Sequence, residues 1–188
     1  MTASTSDTTG YAVRRLEPGD APSLFAAVRA SLPELVDSMP WCKPDYAIAD
    51  AESWIAYTQA AWEKGTKYPL GIVHRGTGAV VGGTGVNQIN RAHRTGNIGY
   101  WVSTPHAGRG VARYAARQAA RLGFGELGLT RLEIVTTLHN LASQRVAESL
   151  GATREGLARN RLHVQGRPQD AIVYSLIPED AANWQDAG

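Results

Sequence analysis

The spacing of hydrophobic residues changes several times along the chain, and each change marks an element. Residues 1–10 are small and polar with no period, which reads as a disordered N-terminal tail. From Tyr11 a strand-like stretch over 11–17 gives way to Pro18-Gly19-Asp20, where Asp20 can cap a helix that carries Pro22 in its first turn and runs to about residue 30. Pro33, Pro40 and Pro44 break the stretch that follows. From Asp50 the period is helical, with Trp54, Thr58 and Trp62 at i, i+4 and i+8 and Ile55 beside them, until Gly65 stops it. That spacing favours core packing for Trp54 and Trp62.

The period then drops to two. Residues 68–74, 79–89 and 95–102 are β-rich runs separated by 75–78 and 90–94. Connections this short join antiparallel neighbours, because a parallel pair needs a crossover of about a dozen residues. The middle of the chain is therefore a three-stranded meander. Beyond it lie a loop over 103–108, an alanine-rich helix over 110–124, a strand over 129–135 and a helix over 140–150. Two further strands follow, at 152–158 and 171–177. No repeat or linker divides the chain, so 11–178 reads as one domain with a mixed sheet and 179–188 as a C-terminal tail.

Composition narrows what such a domain does. A chain of 188 residues buries roughly 70% of its unfolded surface and needs no staple to fold. The single Cys42 cannot form an intramolecular disulfide, no partner is visible to activate its thiol, and no basic-then-apolar leader opens the sequence; a cytoplasmic location is expected. No apolar run approaches a membrane span, and a net charge of +2 is too small to suggest nucleic-acid binding. His74, His93, His106, His139 and His163 lack ligand spacing, so no metal site is expected.

The strongest local signal is His106-Ala-Gly-Arg-Gly-Val-Ala112, two glycines between a strand and a helix, where backbone amides can approach an anion without a Cβ in the way. The helix behind it carries alanines at 112, 115, 116, 119 and 120 and arginines at 109, 113, 117 and 121. Arg109 and Arg113 sit at the end where the helix dipole also favours phosphate. Taken alone, the two glycines could equally make a tight turn and the arginines a solvated face. A dinucleotide fold fits worse, because Arg113 stands where a third glycine belongs and a meander precedes the loop. No Gly-Lys-Ser/Thr of a nucleoside-triphosphate loop occurs.

The order of the pieces adds more. Ile98-Gly-Tyr-Trp-Val102 leads into the loop, Asn140-x-x-Ser143 opens the later helix, and Glu155-Gly156 follows it. This succession resembles the GNAT acetyltransferases, and the RimJ/RimL branch among them, over about residues 11–178. The resemblance implies an α+β GNAT fold, a mostly antiparallel mixed sheet of six or seven strands, splayed in the middle and flanked by about four helices. It implies acetyl-CoA as co-substrate. Ala107, Gly108, Arg109, Gly110, Val111, Ala112 and Arg113 would receive the diphosphate, with Ala107 departing from the family's Gln or Arg. Trp101, Val102 and Ser103 at the splayed strand end, and Asn140, would hold the pantetheine arm. One amide near Trp101 or Val102 would polarise the thioester carbonyl. Asn140 could equally be a helix N-cap. Ser143 matches a serine placed near the leaving thiolate, or is a first-turn serine. The tyrosine found four residues further on in many members is Ala147 here.

The implied reaction is attack of a neutral amine on the thioester. At pH 7.5 an α-amine is about one third neutral and a lysine about once in 800. With no convincing base among Glu133, Glu155 and His139, an N-terminal amine is the better-suited acceptor. Trp41, among the prolines, and Asn87, on the meander, are candidates for the acceptor groove; Asp170 reads as a turn residue beside Pro168. A small-molecule amine is the competing acceptor, and a noncatalytic acyl-CoA-binding module is the reading from another class. A homodimer is an expectation carried by the resemblance alone.

Overall fold

A computed structural model of the protein describes residues 10–182 and 184. The elements run β1 (Tyr11–Arg14), α1 (Ala21–Arg29), α2 (Leu32–Ser38), α3 (Ile48–Lys64), β2 (Tyr68–His74), β3 (Val80–Asn90) and β4 (Thr95–Val102). They continue with α4 (Val111–Arg121), β5 (Arg131–Thr137), α5 (Leu141–Ser149), β6 (Thr153–Val164), β7 (Arg167–Leu176) and α6 (Pro178–Ala181). The seven strands form one open sheet in the order β1-β2-β3-β4-β5-β7-β6. Every neighbouring pair is antiparallel except β4 with β5. This is the α+β architecture that the meander and the late helices imply.

Two cores cover the two faces. Leu24 and Val28 of α1, Leu35 of α2 and Ile55 of α3 pack on Val73 and Val80. Ala116, Ala119 and Ala120 of α4 and Ala147 of α5 pack on Ile98, Leu132 and Tyr174 of the opposite face. The alanines let α4 approach closely; all three are fully buried.

The exception in strand direction positions the site. β4 and β5 pair only from Thr95–Asn97 to Arg131–Glu133. Past Asn97, β4 keeps β3 as its partner through Val102, while β5 keeps β7 through Thr137. The sheet thus divides into two halves that part like a V.

Several local expectations are corrected. Asp20 does not cap α1 with its side chain; the carboxylate turns back to accept from Arg14 at 2.7 and 2.8 Å and from the Glu17 amide at 2.8 Å. Pro33 opens α2 rather than breaking the chain, as a proline in a first turn can. The buried stripe of α3 is Ala51, Ile55, Thr58 and Ala61, which leaves Trp54 40% exposed. Trp62 is half-buried, donating from Nε1 to the Pro69 carbonyl at 2.7 Å beneath the Arg15 guanidinium. Gly65 does end α3, at φ 61°. The last two strands are longer than their apolar runs and form one hairpin turned by Gln165 and Gly166, both left-handed. Asp170 lies in β7 and accepts from the Asn160 amide at 2.8 Å, across a bulge in β6. The segment read as a C-terminal tail begins with α6, and Trp184 donates to the Leu150 carbonyl at 2.9 Å. The remainder of both tails lies outside the described residues. No described helix is long and apolar enough to cross a membrane.

Glu155 on β6 receives two hydrogen bonds from Arg131, which also holds Glu133 at 3.0 Å. That guanidinium lowers the Glu155 carboxyl from 4.5 to about 2. A depressed carboxyl stabilises the fold above pH 4.5 and loses that contribution as pH falls toward 2. Glu155→Gln should therefore lower stability at pH 7 by no more than about 1 kcal/mol, as an exposed pair does. It should also flatten the acid limb between pH 4.5 and 2 in denaturant titrations.

Candidate active site at the parted strands

The chain enters the site from β4 through a turn over Thr104–His106 and reaches α4 through Gly108 and Gly110, at φ 73° and 78°. Left-handed backbone at both positions makes glycine the residue that fits without strain. Helical bonding begins with Tyr114 donating to Gly110 at 3.0 Å, so the amides of Val111, Ala112 and Arg113 have no partner within the helix. Such amides at the positive end of a helix are suited to meet an anion. His106 anchors the rim of the turn: Nδ1 meets the Tyr11 hydroxyl at 2.9 Å. Burial, with Arg109 and His74 adding to it, lowers its pKa below 6.5 and favours the neutral ring.

The parted strands supply the second feature. Ser103 donates its amide to Val81 at 2.8 Å, which fixes the hydrogen-bonding phase between β3 and β4. Trp101, Gly99 and Asn97 then point their main-chain groups at β3, while those of Val102, Tyr100 and Ile98 point into the gap. An extended ligand can pair with that edge as a strand would. Glycine turn and edge belong to one open cleft of about 1500 Å³ that pierces the sheet, reaching Trp41 and Asn87 on one face and Thr136 and Ser143 on the other.

Residues 12–153 match the acetyltransferase (GNAT) domain model. The chain belongs to the GNAT acetyltransferase family. It is 32% identical over 103 residues to the "Putative ribosomal N-acetyltransferase YdaF" of Bacillus subtilis, covering 55% of this chain and 56% of that protein's length. A solved structure described as a "putative ribosomal-protein-serine acetyltransferase" from Vibrio cholerae is 32% identical, with a TM-score of 0.77 over 95% of this chain and 100% of the other. The fold is shared, at 20% identity and a TM-score of 0.80, with RimL, the ribosomal L7/L12 alpha-N-protein acetyltransferase in complex with coenzyme A, over 90% of this chain and 95% of that one.

Within this GNAT domain the cleft gathers Trp101, Val102, Ala107, Gly108, Gly110, Val111, Ala112 and Arg113 on the side of the glycine turn, with Asn140 and Ser143 across the gap. Ser103 is a correction: it is 3% exposed, and its amide is spent on Val81, so it faces the core rather than the cleft. Arg109 is exposed and outside the cleft lining. Ala107 lines the cleft, but its amide donates to the Thr104 carbonyl at 3.2 Å. The gap-facing amides on β4 are those of Tyr100 and Val102, not that of Trp101.

Asn140 caps α5, its Oδ1 accepting from the Ser143 amide at 3.0 Å. Ser143 Oγ lies 3.0 Å from the Tyr100 hydroxyl, which also donates to the Ser143 carbonyl at 3.1 Å. Tyr100 is the residue that sequence reasoning missed. With Ala147 on α5, a phenol comes instead from the strand opposite, pushed up to about 12 by burial. The alternation along Ile98-Gly-Tyr-Trp-Val102 carried the signal, because it places Tyr100 on the α5 face and Trp101 on the other. Glu133 and Glu155 are both tied to Arg131, so neither is a ready base. Cys42 is buried, which raises its thiol pKa and suits a structural role. Among the described residues no cluster of three or more His, Cys, Asp or Glu could hold a metal.

Trp41 is 43% exposed and stands 5.8 Å from Trp101, forming an aromatic wall on the α3 side. Asn140→Ala should cost about 1 kcal/mol by removing the cap of α5. Urea denaturation would measure it, with Asn140→Asp keeping most of the wild-type stability because a carboxylate caps as well as a carboxamide.

Proposed function

We propose that the protein transfers an acetyl group from acetyl-CoA to the N-terminal α-amine of a protein. The observation that carries the reading is the gap between β4 and β5, which offers an unpaired strand edge running straight to an amide cradle. Acetyl-CoA, when bound, supplies the acetyl group as a thioester. The amides of Gly108, Gly110 and Val111–Arg113 fit its diphosphate, with Arg113 at the mouth. The main-chain groups of Tyr100 and Val102 fit an amide-bearing arm, and one of their N–H groups can polarise a carbonyl. Ser143 holds a proton at Oγ for a departing sulfur, and Tyr100, protonated at neutral pH, is placed to replace it.

Two further points support an N-terminal acceptor. Relatives 32% identical carry ribosomal or ribosomal-protein acetyltransferase names. Arg131 engages both Glu133 and Glu155, and an α-amine needs the least help to lose its proton.

Thiol release from acetyl-CoA would test the acceptor. N-terminal peptides should turn over faster than N-blocked lysine peptides, polyamines or aminoglycosides; a preference for a polyamine overturns the acceptor assignment. Gly110→Trp should abolish coenzyme A binding in calorimetry while circular dichroism stays unchanged. Ser143→Ala should lower kcat by about 10²-fold with cofactor Kd little altered, and Tyr100→Phe should lower it in the same direction by less.

A further inference from the structure

On the α3 side of the cleft, β3 and β4 bring two carboxamides together. Asn87 and Asn97 are register partners, so their side chains share one face, and Asn97 Nδ2 donates to Asn87 Oδ1 at 3.1 Å. One such bond uses one donor and one acceptor. The pair therefore keeps an N–H group on one side chain and a C=O on the other, whichever way both amides are turned. Among the described residues neither has another side-chain hydrogen bond, and both line the cleft. Regular pairing of the two strands stops at these residues: Gln88, the next in β3, is left-handed at φ 49°, an unusual state for a non-glycine residue in a strand.

Strand alternation puts Gly99 and Trp101 on the same face as Asn97. A Cβ on Gly99 would meet only Asn87 Nδ2, at 3.4 Å, so the surface between the amide pair and the indoles is bare main chain. Trp101 stands four strand rises beyond Asn97, about 13 Å, the span of three or four extended residues. Neutral amides here also leave an amine's pKa unraised, which a carboxylate would not.

We propose that Asn87 and Asn97 read the backbone of an extended acceptor peptide, pairing with a peptide group two to three residues in from the reacting amine, while Trp41 and Trp101 flank its first side chain. This rests on the N-terminal acceptor assigned above and specifies it: the substrate is a peptide recognised through its main chain, and a lone amine lacks the group that the pair reads.

The test uses the wild-type protein with a tetrapeptide and two analogues in which the second or third amide is replaced by an ester, removing one N–H. One ester should lower kcat/KM about fivefold relative to the parent, the effect of one neutral hydrogen bond. In Asn87→Ala/Asn97→Ala that ester penalty should vanish, with ester and parent peptides giving equal kcat/KM. Equal kcat/KM for both esters and the parent in wild type overturns the proposal even if the peptide is a good substrate. A penalty that persists in the double variant also overturns it. Failure of every peptide alongside turnover of a small amine sinks the acceptor assignment itself, a different result. Thermal midpoints of wild type and variant exclude misfolding as the source of any difference.

Discussion

Everything at the site depends on where two strands stop sharing hydrogen bonds. β4 and β5 hold three residues of parallel register, and each then keeps its other neighbour. Main-chain groups inside a fold need partners, so an edge parted in mid-sheet is a standing demand for a ligand backbone or for water. The cradle of α4 lies at the far end of that edge because β4 runs directly into the glycine turn. One break in pairing thus sets the place, direction and length of the cleft.

The two sides of the gap are provisioned differently. On the α5 side a buried phenol and a capped serine lie within hydrogen-bonding distance, both in a low-dielectric wall that keeps the phenol protonated. On the α3 side the wall nearest Asn87 is neutral amides, glycine main chain and indoles, while Glu34, Asp37, Lys67 and the Lys43–Asp50 pair at 3.0 Å line the rest. The Tyr100–Ser143 hydroxyl pair and the Asn87–Asn97 amide pair therefore stand on opposite faces of the same sheet.

Much of this was legible in the sequence. The meander followed from connections too short for a crossover, and Gly108 and Gly110 marked the turn into α4, where both take the left-handed backbone that glycine adopts without strain. What escaped notice depended on tertiary pairing. Ser103 looked like part of the loop, yet its amide is fixed to Val81 across the sheet. The Trp54-Thr58-Trp62 row suggested a buried face, but the buried stripe runs through Ala51, Ile55, Thr58 and Ala61, which leaves Trp54 exposed and Trp62 half-buried at its edge. Tyr100 and Asn97 acquired their partners from residues 43 and 10 positions away, a distance over which no periodicity speaks.

The division of the sheet also bears on how the chain reaches its native state. Strands β1 to β4 are joined through antiparallel neighbours, as are β6 and β7 with β5, whereas only three parallel register pairs weld the halves. Thr95 and Arg131 lie closer along the chain than the paired Tyr11 and His74 or Leu132 and Leu176, so the weld closes a shorter loop than either of those antiparallel pairs. The crevice is defined only where both halves and the weld at Thr95–Asn97 are in place, so a slip in that short parallel register would displace its two walls relative to each other.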